Sequence, residues 1–131
     1  MPTWSFIASW PDKRLSPNAR VHWRAKANAA KAQRQEGRIL AKSVNAMPSG
    51  KVTVKMTFCP KTNRRRDLDN LIAATKSLRD GISDAIGIDD SKTEITAVIG
   101  PIAPKMAFVA VEISGTPEQA LQAVGASFGT I

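Results

Sequence analysis

The stretch Lys51–Cys59 constrains this chain most. Val52, Val54, Met56 and Phe58 alternate with Lys51, Thr53, Lys55 and Thr57. Strict period two assigns the two sets to opposite faces of a β-strand, one covered and one wet. The covered face needs a second layer, and the flanking sequence provides it. Trp23–Val44 is rich in Ala, Gln, Lys and Arg, which favour helix. Asp69–Ile86 carries an apolar stripe of Leu71, Thr75, Leu78, Ile82 and Ala85 at helical spacing. Met47-Pro48-Ser49-Gly50 ends the first helix and Gly87 the second.

Three further segments read as strands: Trp4–Trp10, closed by Pro11, then Ile95–Ile99, followed by the turn Gly100-Pro101, and Ala107–Ile113. The element order is β, α, β, α, β, β, with a short possible helix opened by Thr116-Pro117. The expected fold is a small α/β (α+β) domain over residues 1–115. It has one mixed sheet of about four strands with two main helices packed on it, and 116–131 form a C-terminal tail, a short helix or disordered.

Charge narrows the partner. Lys and Arg number 19 against 11 Asp and Glu, a net +8 in 131 residues, which suits a polyanion, nucleic acid before an acidic membrane. One cysteine, Cys59, and one histidine, His22, exclude a disulfide framework and a Cys/His zinc site. No apolar run approaches the ~20 residues of a membrane span, and no signal-peptide pattern opens the chain. The expected compartment is the cytoplasm.

The cations fall in three places. The Pro- and Asn-containing loop Pro11–Arg20 carries Lys13, Arg14, Asn18 and Arg20. On the first helix, Arg24, Lys31, Arg34, Arg38 and Lys42 form a stripe opposite Ala29, Ala30, Gly37, Leu40 and Val44. The loop before the second helix carries Lys61, Arg64, Arg65 and Arg66. All are candidate contacts to a phosphate backbone, against the plainer reading of a solvated basic face. Arg66 also suits a structural pairing with the neighbouring acids.

The chemistry concentrates in Arg64-Arg65-Arg66-Asp67-Leu68-Asp69-Asn70-Leu71 and in Asp89-Asp90 beyond the helix. On one helix from Asp69 onward, Ala73, Lys76 and Asp80 lie within about 40° of Asp69. Hydrolysis of a phosphodiester needs an activated water and stabilised charge on phosphate oxygens. Mg²⁺ or Mn²⁺ held by two to four carboxylates supplies both. Lysine can stabilise transition-state charge and arginine can hold the backbone. The structural alternative makes Asp69 or Asn70 a helix cap, Lys76–Asp80 a surface pair and Asp89-Asp90 a turn. Trp10 and Trp23 flank the basic loop and suit either base stacking or core and dimer contacts. His22 suits a phosphate or structural contact, and Cys59 packing.

Arg64–Leu71 with Lys76, Asp80 and Asp89-Asp90 downstream resembles the RusA family of Holliday junction resolvases, as does the strand leading into the basic loop Ser16–Arg20. The resemblance covers roughly Trp4–Ile113. It implies a homodimeric, Mg²⁺-dependent endonuclease that nicks two strands symmetrically across a four-way DNA junction. By this resemblance Asp67, Asp69 and Asp90 are the catalytic carboxylates and metal ligands, with Asp89 as a further ligand, and Lys76 is the catalytic lysine. In the best-known members that lysine comes about one turn earlier, at the position of Ala73. Two rivals remain: a non-catalytic structure-selective DNA-binding protein, and a metal-dependent nuclease for other branched DNA or RNA.

Overall fold

The computed structural model describes residues 2–115, the side chain of Asp90 apart. Strands β1 (Thr3–Ser9), β2 (Val52–Cys59), β3 (Thr93–Ile99) and β4 (Phe108–Gly115) form one mixed sheet in the order β1-β4-β2-β3. The β1–β4 and β4–β2 pairs are antiparallel, and β2–β3 is parallel. Strands β1, β2 and β3 therefore share one direction. Three helices complete the domain: α1 (Trp23–Ser43), α2 (Leu68–Ala74) and α3 (Lys76–Ile86). The α+β class and the four-stranded mixed sheet are as expected. Among the described residues no helix is long and apolar enough to cross a membrane.

Register turns the period-two pattern into a core. The row Phe6–Val111–Met56–Ala97 crosses all four strands, and Ala8–Val109–Phe58–Ile99 is the next row on that face. Val52, Val54, Met56 and Phe58 are buried, as are Val109, Val111 and Ile113. Ala41 of α1 and Leu78 and Ile82 of α3 close over them. Each such Val, Leu, Ile, Phe or Met side chain contributes about 1.5–3 kcal/mol by leaving water. The reverse face is mixed: Ser5, Lys55 and Glu112 lie on it, and so does the row Ile7–Ala110–Thr57–Val98.

The expected single helix over Asp69–Ile86 is two helices. Thr75 is 1% exposed and ends α2 as it begins α3. Its hydroxyl donates to the Leu71 carbonyl (3.2 Å) and the Ile72 carbonyl (2.9 Å), the back-bonding by which a mid-helix threonine bends its helix. The Arg79 guanidinium also donates to the Ile72 carbonyl (2.9 Å). The Ala74 carbonyl and the Leu78 N–H, which would pair in an unbroken helix, are separated by the amide of Gln33 from α1. Its Nε2 donates to Ala74 O and its Oε1 accepts from Leu78 N, both at 2.9 Å. A side chain inserted into the helical ladder is a recognised cause of a kink.

Helices α1 and α3 cross at paired glycines. A Cβ on Gly81 would run into the backbone carbonyl of Arg34, and one on Gly37 into that of Leu78. The obstacle is backbone in both cases, so neither can yield cheaply. A bidentate pair from Arg34 Nε and Nη2 to the Asp84 carboxylate (2.7 and 2.9 Å) clamps the same crossing.

Gly81→Ala should cost about 2–3 kcal/mol by forcing the helices apart, read as a lower urea midpoint at unchanged slope. Gln33→Ala leaves the buried ends of the broken ladder unpaired. It should cost about 1–3 kcal/mol, with hydrogen exchange accelerated at Leu78 before the sheet.

Candidate active site

Because β1, β2 and β3 point the same way, their carboxyl ends deliver three loops to one edge of the sheet. Gly100 N donates to Phe58 O (2.8 Å) and Ala103 N to Pro60 O (2.7 Å), which extends the β2–β3 pairing into the loops. Trp10, just past β1, meets Phe58 edge to face at 6.0 Å between centroids. A cavity of about 890 Å³ opens there, lined by Trp10, Asp12, Lys13, Arg64, Arg65, Arg66, Asp67 and Asn70 among others. The acid-and-arginine stretch and the first basic loop thus share one hollow.

Within the stretch the arginines divide. Arg64 and Arg65 are exposed. Arg66 donates from Nη1 to the carbonyls of Thr62 (2.8 Å) and Arg64 (2.9 Å) and from Nη2 to Thr62 Oγ1 (3.1 Å). Its guanidinium lies over the Trp10 ring at 5.7 Å. It is structural, but it braces the loop, and among the described residues it pairs with no acid.

Asp67, and not Asp69 or Asn70, caps α2. Its Oδ1 accepts from Asp69 N (2.9 Å) and Asn70 N (3.3 Å), which satisfies amides that open the helix. Asp69 is exposed in the first turn, where a negative charge complements the helix dipole. Lys76 begins α3, and its Nζ contacts Asp80 Oδ1 at 2.6 Å. The kink at Thr75 separates Asp69 and Ala73 on α2 from Lys76 and Asp80 on α3, so the four do not form one straight line. Lys76 instead lines a neighbouring hollow, with Ala74 as the wall common to both. Asp89 precedes the 3-10 turn Asp90–Lys92 at the amino end of β3, and its Oδ1 accepts from Ser91 N (3.0 Å). Among the described residues no three His, Cys, Asp or Glu side chains converge as a metal cage, so Asp67, Asp69 and Asp89 do not make one by themselves.

The other cations also sort by partner. Arg14 is held by Asp12 through Nε (3.1 Å) and Nη2 (2.8 Å), and Arg34 by Asp84, so two candidates for the substrate are engaged within the chain. The Arg14 guanidinium and backbone N–H hold the Asp12 carboxyl below the usual carboxylate range, and Arg34 does the same for Asp84. Lys31 stands with Arg34, Arg38 and Asp84 around a smaller hollow away from the main cavity. Asn18, Arg20, Arg24 and Lys61 are exposed. Cys59 is buried, a packing residue.

Sequence reading placed Thr75 on the buried stripe but missed the break there, and it missed the roles of Gly81 and Gln33. The first two left signals: a β-branched hydroxyl residue and a lone glycine inside a helical pattern each point to a bend or a close approach. Gln33 left none, because a glutamine on a helix surface reads as solvated.

These features define a basic α+β domain with carboxylates and arginines gathered at one sheet edge. No family model matches the chain. It is 36% identical over 121 residues to an uncharacterized protein of Xylella fastidiosa, an alignment covering 88% of this chain and 79% of the relative. The chain belongs to the same family as that protein.

The Asp12–Arg14 pair gives a pH signature. A lowered carboxyl pKa adds stability that is complete above the ordinary Asp value and is lost as pH falls through the depressed value. In a carboxyl NMR titration Asp12 should titrate below a free aspartate, and Arg14→Gln should move it up toward the usual range, the backbone N–H of residue 14 keeping part of the shift.

Proposed function

We propose that this chain is a Mg²⁺-dependent endodeoxyribonuclease of the RusA type that resolves four-way DNA junctions by paired symmetric nicking, acting as a homodimer. The observation that carries the reading is the cavity at the carboxyl edge. Arg64, Arg65 and Asp67 line it, and Asp69 stands exposed in the adjoining turn of α2. Arginine forks and hard carboxylate oxygens are what a phosphate backbone and a divalent cation require of one surface.

The donor set fits such a cation. The capping bonds go to Oδ1 of Asp67 and not to Oδ2, and Asp69 is exposed. Asp67 and Asp69 would hold Mg²⁺, with Mn²⁺ as a substitute, whereas Asp90 opens the turn before β3 at the opposite, amino edge of the sheet and stands apart from them in one chain. The ion would activate water and neutralise charge on the scissile phosphate. The protein's own groups do the positioning. Two backbone N–H groups fix Asp67, Arg66 braces the loop against Trp10, and Arg64 and Arg65 grip the backbone. Lys76, oriented by Asp80, offers positive charge one hollow away. A two-fold dimer presents two equivalent sites, as paired nicks require.

One observation favours a second reading, a non-catalytic DNA-binding protein: Asp67 has a full structural duty as a cap. The two readings separate in a nicking assay on a synthetic four-way junction. With Mg²⁺ the wild type should nick symmetrically, and EDTA should abolish it. Asp69→Asn should cut activity about a hundredfold or more without weakening junction binding, since it removes repulsion from phosphate. Nicking that survives EDTA or the substitution would rule out the metal site.

A further inference from the structure

Trp23 is the first residue of α1 and is 68% exposed, an unusual state for the largest apolar side chain. His22 lies beside its ring at 5.5 Å, and the Arg24 guanidinium stands 5.3 Å from its centroid. One turn and two turns along the same helix face come Ala27 and Ala30. With Trp23 and with Ala73 of α2 they line a hollow of about 540 Å³, within the about 300–1,000 Å³ of small-molecule clefts. The lining includes two lysines, Lys26 and Lys76, the second paired with Asp80 just outside the lining.

We infer that this slot holds one unpaired nucleobase of the DNA substrate. The base stacks on Trp23 above the alanine floor, and the phosphates beside it meet Lys26 and Lys76. The inference deepens the nuclease reading and rests on it. Three features select this occupant. An exposed indole is a stacking platform for any base. Alanines build a smooth wall that a flat ring can approach without displacing side chains. The charge around the slot is complementary to a phosphate and would repel a cationic ligand. A base in this slot also brings its flanking phosphate to Lys76, the residue that begins α3 where α2 ends. Paired duplex has no free base to offer, so the slot would convert branching into affinity. Trp10 cannot serve in this way, because Phe58 takes its edge and Arg66 lies over its ring.

The test compares wild type, Trp23→Ala and Trp23→Phe for binding to a four-way junction and to matched duplex, in EDTA and at fixed salt, with 2-aminopurine at the crossover. Trp23→Ala should weaken junction binding about tenfold, leave duplex binding unchanged and abolish quenching of the 2-aminopurine. Trp23→Phe should retain most of the affinity and the quenching. Equal loss on duplex and junction, or unchanged junction binding, would overturn the slot. So would a dimer that becomes monomeric on Trp23→Ala in sedimentation, which would make this face a contact between copies. A wild type that nicks junctions beside an unaffected Trp23→Ala removes the slot alone. A wild type that neither binds nor nicks branched DNA removes the slot and the nuclease reading together.

Discussion

The amide of Gln33 occupies the gap in the helical ladder between the Ala74 carbonyl and the Leu78 N–H, and much of the molecule depends on that insertion. Without it the chain after Leu68 would continue as one straight helix, and its two ends would have fixed relative positions. With it, α3 lies flat on α1 at the Gly37–Gly81 crossing while α2 takes its own direction toward the sheet edge. A buried break in a helix is tolerable only if every freed group finds a partner. Thr75, Arg79 and Gln33 together satisfy Leu71, Ile72, Ala74 and Leu78. The position of Asp67 and Asp69 relative to Lys76 is thus set at the break itself, by Thr75, Arg79 and Gln33.

The sheet was legible because its signal is local and strong. Alternation in Val52–Phe58 fixes a strand and its inner face, and the same logic finds β1 and β4. The break at Thr75 was not legible from the apolar stripe. Leu71, Leu78 and Ile82 keep helical spacing across it, and burial follows that stripe whether the axis bends or not. For the candidate site, residue types and neighbourhood could be read from the sequence, but individual duties could not. Whether Asp67 or Asp69 caps α2 depends on where the first helical turn closes, and helix ends are poorly determined by composition. Arg14 and Arg34 look like free cations in a one-dimensional reading. Asp12 stands two residues from the first, and Asp84 fifty residues from the second, so only tertiary structure discloses the second pair.

The basic excess consequently has two populations. Arg14, Arg34 and Arg66 serve the protein: they clamp a loop, a helix crossing and the motif itself. Exposed pairs of this kind contribute little stability singly, yet they fix geometry around the main cavity and the α1–α3 contact. Lys13, Arg64 and Arg65 line the cavity and, with the exposed Arg20, Arg24 and Lys61, remain the groups a polyanion would meet. Net charge alone overstates the surface offered to a partner.

The common direction of β1, β2 and β3 has an evolutionary consequence. Every loop at the cavity edge leaves the carboxyl end of a strand, while the helices that bury the core are tied down by contacts elsewhere. Residues at that edge can be exchanged, lengthened or re-charged without disturbing the rows that hold the sheet together. Relatives that keep Val52–Phe58, Gly37 and Gly81 can thus diverge in what they recognise while sharing one scaffold.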